Sequence, residues 1–342
     1  MNSKIMNHKN FLYIYIVLFI SFFSFNSYTA YSADANDNNK LDIGGMIMHH
    51  ILDDYQYEIT HGVVIPLPII LYVENEGLTV FSSSNLFDEN HKPLKEGYNG
   101  VYYDHGKIYP LDESTSYIDL SITKNVFFLF ITAALMLVIF LLVASKYKNK
   151  METPKGIQSL FEPLIIFIKD DIVKPNIGPK YERYLPYMLT LFFFIFFGNV
   201  LGLLPAGANL TGNIAITMVL ALITFFMTNL SGNMNYWKHI FWTPNVPNIM
   251  RIIILPIEII GVFTKPFSLM LRLFVAITAG HIVLLSFIGM TFIFGSYTVG
   301  VMSSLFAVAL NIIELLVAGI QAYVFTMFSC VYIGLAVEEE HH

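Results

Sequence analysis

The apolar and polar positions of this 342-residue chain fall into three unlike parts. A short apolar run, 11–23, follows Lys4, His8 and Lys9 and gives way to small and polar residues. Residues 36–123 are polar, with mixed periodicity. Five apolar segments come after them, at 125–144, 185–204, 213–230, 258–294 and 299–337. A helix needs about 20 apolar residues to cross a hydrocarbon core roughly 30 Å thick. The first three segments have about that length. The last two would be roughly 55–60 Å long as helices at 1.5 Å per residue. They must tilt strongly, bend, or run partly along the interface. The pattern predicts an all-α integral membrane core of five helices, the last two forming a long tilted hairpin that turns at 295–300.

The N-terminal run fits a secretory signal peptide over 1–33: basic residues, a short apolar stretch, then a small-residue exit. A retained first membrane helix is the alternative, but the run is shorter than a span prefers. Residues 34–124 then form a small extracytoplasmic region of mixed α/β character. A short amphipathic helix is predicted at 43–54. Strand-like runs at 63–72, 79–81 and 101–109 are separated by Gly, Asn and Asp turn signals. His49, His50, His61, His91 and His105 follow no familiar zinc spacing, so no metal is predicted.

Composition strengthens the membrane reading. The chain is 55% hydrophobic and 13% charged, where soluble domains carry roughly 25% charged residues. No phosphate-binding loop, nucleophile elbow or Cys-x-x-Cys occurs, so neither catalysis in this chain, nor a cofactor, nor nucleic-acid binding is expected. Cys330 is the single cysteine and reads as a small packing residue.

Charge sets the orientation. The 145–184 loop holds Lys146, Lys148, Lys150, Lys155, Lys169, Lys174, Lys180 and Arg183. Lys238 and Arg251 follow the third span, whereas the connections at 206–212 and 295–300 hold no Lys or Arg. The positive-inside rule therefore puts the long loops and the C-terminus in the cytoplasm and the N-terminal region outside. Trp237 and Trp242 suit an aromatic belt on the inner side. Residues 156–174 carry Ile157, Leu160, Phe161, Leu164, Ile165, Phe167, Ile168 and Ile172, interrupted by Lys169, Asp170 and Asp171, as in a helix lying on the membrane surface. That helix could dock a partner stalk or serve as a simple anchor.

Between Lys265 and Glu338 the only Asp, Glu, Lys, Arg or His residues are Arg272, His281 and Glu314, with Gln321 as the one long amide. A charge at bilayer depth costs roughly 2.5–3.5 kcal/mol even on the lenient insertion scale, so such residues point to an ion or proton path. In an antiparallel hairpin, facing residues share a midpoint. The midpoints of His281 with Glu314 and of Arg272 with Gln321 both fall in the 295–300 turn. Histidine should thus lie level with glutamate, and arginine level with glutamine. Arginine keeps its proton and can act only as a fixed charge. Histidine and glutamate can pass protons near neutral pH when their surroundings favour it. Bland readings stand beside these: a polar clamp for His281–Glu314, a snorkelling side chain for Arg272.

The run Lys265-Pro266-Phe267-Ser268-Leu269-Met270-Leu271-Arg272-Leu273-Phe274, followed by Ala279-Gly280-His281, resembles subunit a of F-type ATP synthases. So do Gln321-Ala322-Tyr323-Val324-Phe325 and Gly198-Asn199-Val200-Leu201-Gly202-Leu203-Leu204-Pro205. The resemblance covers about 126–340. The extracytoplasmic region, with Met48-His49-His50-Ile51-Leu52-Asp53, looks like the forms found in Bacteroidota.

This resemblance implies a stator subunit with two offset proton half-channels beside a rotating c-ring. It is held with the subunit b peripheral stalk and the rest of the F1Fo complex in a bacterial inner membrane, its N-terminal region periplasmic. It implies that Arg272 is the essential arginine, that His281 and Glu314 are the inlet pair, and that Gln321 stands beside the arginine. Asn199 becomes an inlet polar residue, Glu258 a carboxylate of the inner half-channel and Ser268 a polar position on that route. The family usually has asparagine where Ala276 stands here; Thr278 could supply its polar role. The rival reading, a secondary proton-coupled transporter, would usually show internal repeats; none is visible.

Overall fold

The computed structural model describes residues 52–338, apart from 61–62, 75–76, 89–92, 95–96, 105, 113–115, 148–155, 205–206 and 243–246. The predicted signal peptide and most of the 43–54 helix lie outside the described residues, as do His49, His50, His61, His91 and His105.

Residues 52–123 are built from strands. β1 (Gln56–Thr60) pairs with β2 (Val63–Pro66), and β5 (Val101–Asp104) pairs with β6 (Lys107–Pro110). β3 (Pro68–Val73) lies between β4 (Gly77–Ser82) and β7 (Tyr117–Asp119), all antiparallel. The only helical turn among the described residues here is a 3-10 turn, Ser83–Leu86. The expected mixed α/β character is thus mainly β in the described part. The predicted strand 63–72 is two strands in two sheets, divided at Leu67. Leu67 donates its N–H to Ser83 Oγ at 3.0 Å and accepts from the Ser83 N–H at 2.9 Å, so its backbone leaves both ladders. The 101–109 run is likewise a hairpin, turning at Gly106 with φ +80°, a conformation that glycine adopts without strain. Ile69, Leu71, Leu86, Val101 and Ile108 form a small core. Burial and the neighbouring Asp119 and Asp54, respectively, raise the phenol pKa values of Tyr55 and Tyr103.

The strand region is tied to the first membrane helix, α1 (Lys124–Lys146). That helix has no cap from its own Thr123 side chain. Asp53 supplies one from far upstream, accepting from the Asn125 N–H at 3.0 Å and from Thr123 Oγ1 at 2.8 Å. A carboxylate there satisfies an orphan N–H and opposes the positive end of the helix dipole.

The rest is helical. α2 (Ile157–Phe167) runs into a π-helical stretch, Ile168–Val173, and a short turn, Lys174–Ile177. Then come α3 (Tyr181–Gly202), α4 (Ile214–Leu230), α5 (Met234–Phe241), α6 (Asn248–Phe294) and α7 (Tyr297–Val337). Among the described residues, four helical stretches are long and apolar enough to cross a membrane, or five if α4 and α5, bent by 102°, count as one span. α6 starts ten residues before the predicted Glu258 and continues through Pro256 and Pro266. Its 47 residues would span about 70 Å at 1.5 Å each. Gly295, in the left-handed region at φ +53°, ends it and starts the turn into α7.

α7 packs along both α6 and α3, while α4 lies against α6. The α2 segment is more than an interfacial helix. Phe161, Ile168, Ile172, Val173 and Ile177 are buried with Cys330, Ile333 and Val337 of α7 in the main core. The π-helical turn lets the adjacent Ile172 and Val173 both face inward while Asp170 and Asp171 stay outside. Cys330 is fully buried, as a packing residue should be.

The closest approach there is made by Gly334, where a Cβ would lie 1.9 Å from the Asn176 carbonyl oxygen. Backbone against backbone cannot give way as a flexible side chain can. Gly334→Ala should therefore force α7 off the Lys174–Ile177 turn, at an overpacking cost of about 1–3 kcal/mol. The expected result is a clear drop in the amount of assembled protein recovered from membranes. Recovery equal to wild type would show that the contact can open freely.

Candidate functional site

The α6–α7 hairpin brings the predicted inlet pair into contact. Nδ1 of His281 meets Oε1 of Glu314, with Glu314 5% exposed and His281 13% exposed. Room for the carboxylate comes from Gly280, where a Cβ would stand 3.1 Å from Glu314 Oε1 and 3.3 Å from Cδ. A larger residue at 280 would crowd the acid against its partner. Two ionisable groups at this depth are tolerable because each answers the other.

Asn199 of α3 closes the site from the other side. It is 2% exposed. Its Nδ2 donates to the Ala318 carbonyl at 3.3 Å, one turn along α7 from Glu314. Its Oδ1 accepts from Thr211 Oγ1 at 2.7 Å. Thr211, 1% exposed, sits in the 3-10 turn Leu210–Gly212 between α3 and α4.

Arg272 stands apart from the pair. Its guanidinium lies over the Phe328 ring, 4.2 Å from the centroid. The guanidinium thus reaches beyond Gln321, because Phe328 is seven residues, two turns, further along α7. Gln321 is half-buried on the stretch of α7 between Glu314 and Phe328. A long arginine side chain reaches past the residue level with its Cα, and an aromatic face offers the cation a better partner than a solvated amide. One further cation follows the same line: Lys265 Nζ lies 5.5 Å from the Tyr332 ring centre.

Glu258 and Ser268 remain on α6, both half-buried. Glu258 interacts electrostatically with Lys265 and Tyr236. Of these, Tyr236 and Lys265 border a small cleft, about 10 Å³ in volume, with Thr224, Thr228, Asn229 and Tyr332. The site therefore has two parts: a buried polar cluster around Glu314, and Arg272 at the middle of α6 with Glu258 and Ser268 towards its N-terminus. Thr278 Oγ1 is buried without a hydrogen-bond partner. No group of three or more His, Cys, Asp or Glu residues able to hold a metal occurs among the described residues.

Residues 126–334 match the family described as ATP synthase A chain. The chain belongs to that family. It is 47% identical over 232 residues to a protein named ATP synthase subunit a from Chlorobium phaeobacteroides, covering 66% of this chain and 67% of that one. It is 44% identical over 231 residues to the protein of the same name from Chloroherpeton thalassium, covering 66% and 69%. A third, from Myxococcus xanthus, is 39% identical over 264 residues, covering 75% and 86%. Residues 46–127 match a separate domain described only as a domain of unknown function. The family match spans every candidate residue from Asn199 to Gln321.

Three residues at the site were not singled out from sequence. Gly280 was quoted only as part of a motif, and its use as the seat of Glu314 needs the packed hairpin. Thr211 carries no charge and lies in a loop. Phe328 is one of 30 phenylalanines and gave no signal of its own. A helical repeat of polar and aromatic residues on α7 (314, 321, 328) could have pointed to it.

Proposed function

We propose that the chain is the membrane stator of an F-type ATP synthase. Protons pass through it on two offset half-paths that meet a ring of carboxylate-bearing rotor subunits at Arg272. The observation that carries this reading is the separation within one hairpin. A fixed guanidinium occupies one stretch, and a paired imidazole and carboxylate occupy another.

The roles follow from chemistry. His281 and Glu314 share and pass a proton on the outer side, with Asn199 lending polar atoms one turn away. Arg272 cannot release its proton, so it attracts each passing rotor carboxylate and blocks direct leakage between half-paths. Gln321 lines the approach to it. Glu258 and Ser268 serve the inner half-path. Nucleotide chemistry belongs to other subunits of the complex. Residues 125–342 form the proton-conducting domain, 34–124 the extracytoplasmic region, and 1–33 a signal peptide. The peripheral stalk, subunit b included, is expected at the exposed outer face of α2, where Leu160 and Ile166 remain uncovered.

Purification from membranes tests the reading. A rotor ring and a soluble ATPase head should come with the chain; a lone oligomer would favour a secondary transporter instead. Orientation has its own test. Lys174 and Tyr98 are both exposed, while the native Cys330 is buried and should not react. A cysteine at 174 should be labelled only from the cytoplasm, and one at 98 only from outside. The opposite pattern would invert the topology and both half-paths with it.

A further inference from the structure

The strand region packs against the membrane helices and their outer loop through Tyr57 and Leu67. Tyr57 of β1 and Leu67, between β2 and β3, are buried together with Phe128 of α1 and with Ala208 and Leu210 of the loop between α3 and α4. The Tyr57 ring lies 5.6 Å from that of Phe127. Leu67 is held rigidly, because Ser83 binds its backbone from both sides. It is therefore a fixed finger, not a chance contact.

The loop it presses on is tightly folded. Leu210 is fully buried and lies 3.4 Å from the Cβ position of Gly198. A Cβ at Gly202 would be 3.4 Å from the Ala208 carbonyl oxygen. The next residue after Leu210 is Thr211, whose hydroxyl holds Asn199. Asn199 in turn binds the α7 carbonyl one turn from Glu314. A series of packed and hydrogen-bonded residues thus joins the strand region to α7 one turn from the buried acid.

We propose that this region clamps the outer mouth of the proton path: by seating Leu210, it keeps Thr211 bonded to Asn199 and so holds Asn199 beside the His281–Glu314 pair. Thr211 is a positioning residue, and Tyr57 and Leu67 position it. The proposal rests on the reading of that pair as the outer inlet.

The test uses the whole complex in liposomes, with ATP synthesis measured against outer pH at fixed membrane potential. Thr211→Ala should slow synthesis roughly five-fold, as for loss of one buried hydrogen bond, and should move the outer pH dependence. Thr211→Ser keeps the hydroxyl and should restore both. Leu67→Ala should move the pH dependence in the same direction, and should add little when combined with Thr211→Ala, because both act on one link. Amide hydrogen exchange across 204–213 should rise in Leu67→Ala. If Leu67→Ala does not accumulate, Tyr57→Leu, which keeps an apolar contact but loses the ring pairing, takes its place. A loosened loop with an unchanged pH profile overturns the clamp, as does full additivity with Thr211→Ala. Arg272→Ala measured alongside separates the two ideas. If it still synthesises ATP, the stator reading fails; if it is inactive while the clamp variants behave as wild type, only the clamp fails.

Discussion

Arg272→Ala should abolish coupled ATP synthesis while ATP hydrolysis by the detached head continues. A fall of about a hundredfold or more is expected, the scale seen when a preorganised electrostatic group is removed from a reacting centre. The reason is positional. Over Phe328, the guanidinium is held by a ring face that attracts cations without neutralising them. It keeps its full charge for a carboxylate arriving from outside the chain. Without it, nothing holds the ionised rotor group on the route or separates the half-paths, so passive proton leak should rise as synthesis falls. Arg272→Lys should also fail, because a compact, strongly hydrated ammonium lacks the planar fork. Phe328→Leu removes the ring but keeps the bulk, and should give a milder loss. Normal coupled synthesis by Arg272→Ala would end the proposed mechanism.

The membrane core was readable because its signals are local. Apolar length marked the long helices, and the break between the last two apolar segments marked the turn, where Gly295 ends α6 and α7 begins at Tyr297. The level match of His281 and Glu314 followed from hairpin geometry alone, and the pair is in contact. For Arg272 the same geometry locates only the Cα atom, whereas its long side chain chooses its partner by chemistry and reaches Phe328. The early start of α6 was hidden by Pro256, which loses one hydrogen bond yet stays inside a packed helix. The α2 segment looked interfacial because its burial partners, Cys330, Ile333 and Val337, lie more than 150 residues away. The strand region was least legible. β1 alternates polar and apolar residues but over only five positions, β7 has three residues, and the Asp53 cap on α1 joins residues that only the fold makes neighbours. Thr211 escaped for the same reason: its role depends on Asn199, and both depend on how the outer loop folds back.

The exchange of His281 and Glu314 offers the sharpest test of a shared proton. Each single change leaves one group uncompensated: His281→Ala strands a 5%-exposed carboxylate, and Glu314→Ala strands the imidazole. Either should slow proton intake strongly, yet less than Arg272→Ala does, because water can take over part of a relay and cannot replace a fixed charge. The double exchange, His281→Glu with Glu314→His, returns both chemistries to one level of the hairpin. It should work better than the product of the two single exchanges predicts, by a coupling of about 0.5–3 kcal/mol for groups in contact. Recovery should stop short of wild type. Gly280 is fitted to a carboxylate, with its Cβ position 3.1 Å from Oε1, and an imidazole on α7 needs more space there. The measurement is ATP-driven proton pumping in vesicles across a range of pH around neutral. A relay predicts that the single changes move the pH profile and that the exchange moves it back towards wild type. Single variants that pump normally with an unmoved profile would leave His281–Glu314 as a clamp between helices, and proton intake would have to follow another polar route.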